Sequence, residues 1–150
     1  MVLLEELQGV LAALDDAKVD YALIGALAVA VWGAPRATKD IDLLVRREDL
    51  ARARAAVREK GFTLDALPLE FKDGTEVHRV NKIDPAGMLM TLDFMIVDAN
   101  LESAWADRLV LPFGERHVSV VSRDALIAMK ARAARPHDLM DIQNLKDGDR

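Results

Sequence analysis

Asp40 and Asp42 stand two residues apart in the run DIDLLV, and Asp93 is the lone acid within the apolar run MLMTLDFMIV. Side chains at i and i+2 of a strand share a face, so the first two carboxylates project together while Ile41 and Leu43 point the other way, into a core. Such like charges raise one another's pKa and cost stability unless something positive meets them. Arg36 and Lys39 are near in sequence, but neither is forced to compensate both acids. A divalent cation would. Mg²⁺, or Mn²⁺ in its place, prefers oxygen ligands, usually one or two carboxylates, and fills its shell with waters and substrate phosphates. If the strand of Asp93 lies beside that of Asp40 and Asp42, the three acids can hold two metals, one activating a hydroxyl and one clamping a triphosphate. The plainer alternative gives each acid a structural place, with Asp40 capping the strand, Asp42 solvated and Asp93 at a sheet edge.

Gly25 separates the strand-like YALI from ALAVAVWG, an alanine-rich run suited to a buried helix. A glycine there lets a backbone approach a phosphate, and the free N–H groups of the helix start favour an anion. It can also be only a tight turn. Its position sets it apart, because the helix it opens leads directly back to the Asp40–Asp42 strand. Backbone N–H groups of Gly25 and Ala26 are therefore candidate phosphate donors, with Arg36, Thr38 and Lys39 close by to neutralise charge. Lys130 lies on a mostly apolar helical face, where an ammonium is costly to bury without an anion. A triphosphate would supply one; snorkelling to solvent would remove the need.

The elements that position these residues are legible from periodicity. Leu3, Leu4, Leu7, Val10, Leu11 and Leu14 recur at helical spacing, up to Asp15-Asp16. VDYALIG and DIDLLV read as strands, and REDLARARAAVREKG as a helix with Gly61 as its stop. Asp73-Gly74 predicts a hairpin turn between LEF and EVHRVNKI. MLMTLDFMIV follows as a strand, NLESAWADRL as a helix, LVLPFGERHVSVVS as a hairpin, and SRDALIAMKARAARPHDLMDIQNL as two helices broken at Pro136. This order predicts an α+β fold, a mixed sheet packed against helices. It forms one domain over residues 1–150, with 122–146 a helical C-terminal segment of that domain.

Composition narrows the function classes. The 150 residues are 51% hydrophobic with a net charge of −5, which suits one compact domain and gives no footprint for indiscriminate nucleic-acid binding. The absence of cysteine excludes thiolate metal sites and cysteine nucleophiles, and predicts a cytoplasmic protein. The start, MVLLEELQGVLAALDDAK, reads as an amphipathic helix and not a leader, and no run approaches the ~20 apolar residues of a membrane span. His78 and His117 lie far apart in predicted hairpins without a nucleophile, His137 reads as a surface residue, and Trp32 and Trp105 as core.

The stretch IGALAVAVWGAPRATKDIDLLV resembles the signature of the nucleotidyltransferase superfamily, which includes DNA polymerase beta and the antibiotic and minimal nucleotidyltransferases. That signature is a strand, a Gly-Gly or Gly-Ser step, a helix, an Asp-x-Asp/Glu strand and a later acid. Gly25, Asp40, Asp42 and Asp93 match it in order; Ala26 stands where glycine or serine is usual. The tail LIAMKARAARPHDLMDIQNL is similar to that of nucleotidyltransferases related to abortive-infection toxins, through Lys130, Arg135, Asp138 and Asp141. The resemblance implies the nucleotidyltransferase fold and an Mg²⁺- or Mn²⁺-dependent enzyme. Such an enzyme moves a nucleoside monophosphate from an NTP to a hydroxyl of RNA or tRNA, a protein or a small molecule. It implies Asp40, Asp42 and Asp93 as metal ligands, Asp93 alternatively as general base, and a cognate toxin or antitoxin as a partner. A toxin-antitoxin or phage-defence role follows from the same likeness. The alternative is a catalytically weak, antitoxin-like module that binds nucleotide or a partner protein, which Ala26 favours and the intact acids oppose.

Overall fold

The computed structural model describes residues 2–35 and 37–147, which share one mixed sheet and one hydrophobic core. Helix α1 (Val2–Asp16) is followed by strand β1 (Ala22–Ile24), helix α2 (Gly25–Val31) and strand β2 (Asp40–Val45). A 3₁₀ turn leads into α3 (Leu50–Arg58), and the short strands β3 (Leu64–Asp65) and β4 (Leu69–Glu70) precede the long β5 (Glu76–Ile83) and β6 (Leu89–Ile96). Helix α4 (Glu102–Ala106), the hairpin β7 (Leu109–Phe113) and β8 (Arg116–Val120), and helices α5 (Arg123–Ala133) and α6 (Pro136–Asp147) complete the chain.

The strand order is β3-β5-β6-β2-β1-β8-β7, with β4 also paired to β5. β1 runs antiparallel to β2 and parallel to β8, while β2 and β6 are parallel. The α+β architecture with a mixed sheet is therefore as the sequence predicts. β1 is central and every residue in it is buried, which explains why ALI has no polar alternation. On β2, Ile41 and Leu43 enter the core at 1% and 0% exposure, whereas Asp40 and Asp42 face the other way. β6 repeats the pattern, burying Leu92 and Phe94 around a partly exposed Asp93.

Two local devices shape what surrounds the acids. Gly74 takes a positive φ of 89° in the tight turn after β4, and its N–H donates to the Phe71 carbonyl at 2.9 Å. This closes the Asp73-Gly74 hairpin and presents Leu69 and Phe71 beside β5. At the other end, the Ser122 hydroxyl accepts the Ala125 N–H at 3.1 Å and caps α5. Helix α5 stops at Ala134, whose φ of 51° is left-handed, and Pro136 then opens α6. The elbow lays α6 against α5. Among the described residues, no helix is long and apolar enough to cross a membrane.

Candidate active site

Strand register brings the acids together. In the parallel β2–β6 pair, Asp42 is the partner of Asp93, and Asp40 is the partner of Thr91. Gly25, Ala26, Thr38, Asp40, Asp42, Asp93 and Lys130 all line one cavity of about 560 Å³. Of the remaining sequence candidates, Lys39 is exposed and does not line this cavity, and Arg36 lies outside the described residues. The Thr38 hydroxyl accepts the Asp40 N–H at 3.2 Å, which holds the loop against the start of β2.

Gly25 has a reason to be glycine beyond phosphate approach. Its φ is +72°, and a Cβ built on it would lie 2.4 Å from Asp42 Oδ2 and 3.0 Å from Asp42 Cβ. The Asp42 carboxylate therefore leans directly over the Gly25 backbone, in space that any other residue would occupy. This fixes the helix start of α2 and the acid of β2 as one unit.

The electrostatics are dominated by Asp42. Burial first, then the neighbouring Asp93 and Asp40, push its carboxyl up from the ordinary value to about 7, although Lys130 and Arg79 pull the other way. Asp93 is not left bare. Arg79, directly opposite it in the β5–β6 register, donates through Nε to Oδ1 at 2.8 Å and through Nη2 to Oδ2 at 3.0 Å. That bidentate pair, aided by the nearby acids, raises the Arg79 guanidinium above its ordinary value.

Lys130 differs from its expected setting. It is buried at 7% exposure, but its anions are protein groups: Nζ lies 3.0 Å from Asp141 Oδ2 and 3.6 Å from Asp138 Oδ1. Both aspartates are at or below 1% exposure. Arg135 adds a second cation, donating through Nε to Asp138 Oδ2 at 2.7 Å and through its backbone N–H to the same oxygen at 3.2 Å. Burial alone would raise the Asp138 carboxyl; Arg135 and Lys130 bring it below the ordinary value. The ammonium thus reaches the cavity wall already compensated, and needs no triphosphate to be tolerated there.

The fit to a divalent cation can be judged from the donors. Among the described residues no three His, Cys, Asp or Glu side chains form a ready cage. That matches Mg²⁺, which is seldom held by an all-protein cage and is completed by water and substrate oxygens. Asp42, strained by two like neighbours, gains most from a cation; Asp40 shares its strand face and is exposed. Asp40 and Asp42 fit the ion, whereas Asp93 already faces Arg79. Sequence reasoning missed Arg79, and with it Leu69, Phe71 and His137 in the cavity lining; Arg135, named in the tail motif, lines it too.

The model of the aminoglycoside-2''-adenylyltransferase family matches residues 6–145. The chain belongs to that family. It is accordingly a nucleotidyltransferase, as the superfamily resemblance implied. Its fold is similar to that of the lincosamide antibiotic adenylyltransferase LnuA, solved with lincomycin, at 17% identity and a TM-score of 0.66 over 95% of each chain. It is also similar to ANT(2'')-Ia, solved with adenylyl-2''-tobramycin, at 16% identity and a TM-score of 0.67 over 97% of this chain and 88% of that one. TM1012 from Thermotoga maritima gives 16% identity and a TM-score of 0.68 over 96% and 92%. At these identities the likeness establishes the fold. No curated protein matches the chain by sequence. Nothing in these comparisons supports a toxin, an antitoxin partner, or an RNA or protein acceptor.

Three outcomes follow. Because the Asp42 pKa is raised on folding, the native state holds a proton that the unfolded chain releases near pH 4, and stability falls as pH rises from there through about 7. In metal-free buffer, Asp42→Asn should be more stable than the parent at pH 8, by no more than about 4 kcal/mol, and the gap should shrink at pH 5; urea melts at the two pH values check this. Gly25→Ala should cost roughly 1–3 kcal/mol by backbone strain and displace Asp42, so its urea midpoint should fall together with any Mg²⁺-dependent nucleotide binding. Lys130→Ala, by stranding two buried acids, should destabilise the protein by roughly 3–5 kcal/mol, with partial recovery when Asp141→Asn is added; an unchanged midpoint would sink the assigned charge network.

Proposed function

We propose that this protein transfers a nucleoside monophosphate, with ATP as the donor its family indicates, to a hydroxyl group of a small molecule. The observation that carries the reading is the juxtaposition of Asp42 with Asp93 by strand register and with Gly25 by direct packing, inside one cavity. Asp40 and Asp42 would hold Mg²⁺, which when bound supplies positive charge to the phosphates and to the attacking oxygen. Gly25 and Ala26 present backbone N–H groups to the phosphate chain; the missing hydroxyl at Ala26 leaves those backbone donors intact. Lys130, held in place by Asp138 and Asp141, faces the same cavity with a fixed positive charge.

The acceptor hydroxyl loses its proton to Asp93 as its oxygen attacks the α-phosphorus, the bond from phosphorus to the bridging oxygen breaks, and pyrophosphate leaves. Asp93 can take this part while bound to Arg79, because a carboxylate has about four lone-pair positions and the guanidinium uses two. A base must lie within hydrogen-bond reach of the proton it removes, which places the acceptor on the β6 side of the cavity. The family's own description, and the small cavity, favour a small-molecule acceptor over RNA or a protein chain.

Mg²⁺ and ATP together should raise the melting temperature by linkage, with about 2.7 kcal/mol added at a hundredfold excess over Kd. ATP without Mg²⁺ should give a smaller shift, and Asp42→Asn should remove the Mg²⁺-dependent part while folding normally. Calorimetric melts of the two proteins decide the matter; a full Mg²⁺-dependent shift in Asp42→Asn would overturn the metal assignment.

A further inference from the structure

The cavity is not uniform, and its chemistry changes along the strand order. At one side lie Gly25 and Ala26, then Asp40 and Asp42 on β2, then Asp93 and Met95 on β6. Beyond Asp93, the side on which the proposed base puts the acceptor, come Val77 and Arg79 on β5 and the Leu69–Phe71 hairpin arm. The alternation of β5 turns Val77 and Arg79 toward the cavity, while Glu76 and His78 pair with each other on the opposite face, where Arg47 also holds Glu76. Leu69 and Phe71 are 41% and 53% exposed, line the cavity, and continue the apolar surface of Val77, the register partner of Leu69.

The charges on this wall are as telling as the apolar surface. The described residues lining the cavity include three carboxylates, Asp40, Asp42 and Asp93, and four basic groups, Arg79, Lys130, Arg135 and His137. Two of the acids are the ones that fit Mg²⁺, and the third is engaged by Arg79 through both oxygens. Among the described residues of the lining, Asp93 is the carboxylate nearest the acceptor side, and Arg79 already occupies a position on each of its oxygens. A polyamino sugar would bring several positive charges to a wall that offers it Arg79 and hydrocarbon, and like-charge juxtaposition opposes binding.

Resting on the nucleotidyl-transfer reading, we infer that the acceptor is a hydroxyl-bearing small molecule with an apolar face and at most one ammonium group, seated on Leu69, Phe71, Val77 and Met95, and that polycationic aminoglycosides are rejected. The apolar face of the acceptor covers the exposed hairpin arm, and its hydroxyl reaches Asp93 past the guanidinium of Arg79.

Binding to the full chain loaded with Mg²⁺ and a non-hydrolysable ATP analogue tests this, with three probes followed by calorimetry. Lincomycin and 4-nitrophenyl β-glucoside present an apolar face with one amine or none; tobramycin presents several. At least one of the first two should bind tenfold or more tightly than tobramycin. Phe71→Ala, at an exposed position that folding tolerates, should weaken that probe about tenfold and leave the analogue's affinity unchanged. Tobramycin binding as tightly as the best apolar-faced probe overturns the inference, as does binding of neither apolar-faced probe to the loaded protein. Weaker analogue binding in Phe71→Ala also overturns it, because the wall would then hold the nucleobase. Failure of the analogue to bind the parent is a separate result, which removes the nucleotidyl-transfer reading itself.

Discussion

Everything at this site follows from the crowding of carboxylates on two neighbouring parallel strands. Asp42 and Asp93 are register partners, Asp40 is two residues away on the same face, and the apolar residues between them are committed to the core. Neither strand can slip to relieve the repulsion, since a one-residue shift would send Ile41, Leu43, Leu92 and Phe94 to the cavity side and the acids inward. The hydrophobic core therefore holds the acids together against their mutual repulsion. The rest of the site consists of different answers to that imposed charge.

Three answers are visible, and they differ in permanence. Asp93 is met by a guanidinium that is 40% exposed and can withdraw to solvent. Asp42 is met by a proton near neutral pH, which any cation of sufficient charge displaces. Lys130 also acts on Asp42, but it is locked by Asp138 and Asp141 into a buried network that cannot rearrange without stranding a charge. The mobile charges lie where a metal-nucleotide complex would arrive, and the fixed ones lie on the helical tail. Gly25 belongs to the same logic, because only the absence of a side chain there lets Asp42 take its position.

Much of this was legible in the sequence, and what was missed has physical causes. The alternation in DIDLLV and the single acid in MLMTLDFMIV located the three aspartates, since period-two patterning reports which face a residue occupies whatever the topology. Pro136 and the Asp73-Gly74 turn marked their breaks correctly because both act through local backbone geometry. Lys130 was placed at the cavity, but its partners were read as a triphosphate because a buried cation reveals the need for an anion without saying which. Arg79 could have been found. Asp84-Pro85-Ala86-Gly87 is a turn signal, confirmed by the Asp84 carboxylate accepting the Ala86 and Met88 N–H groups, and counting back from it along both strands puts Arg79 opposite Asp93. The arm of Leu69 and Phe71 is legible as the LEF limb of the Asp73-Gly74 hairpin, but its place beside the acids is not, because that depends on a sheet edge that only the folded chain defines.

The distribution of charge also bears on how family and individual chain relate. Membership rests on residues 6–145 as a whole, and a common fold does not by itself fix the acceptor. On the proposed reading, acceptor choice is set elsewhere, by short segments at the far side of the third acid. Here those segments are a hairpin arm fixed by Gly74 and a strand whose one charged residue toward the cavity, Arg79, is positive. Such segments can change without disturbing β1, β2 or β6, because Leu69 and Phe71 are exposed and support no core packing. On that reading the acids that would serve nucleotidyl transfer are tied to the interior, while the surface that would select the recipient is attached to it through little more than the pairing of β4 with β5.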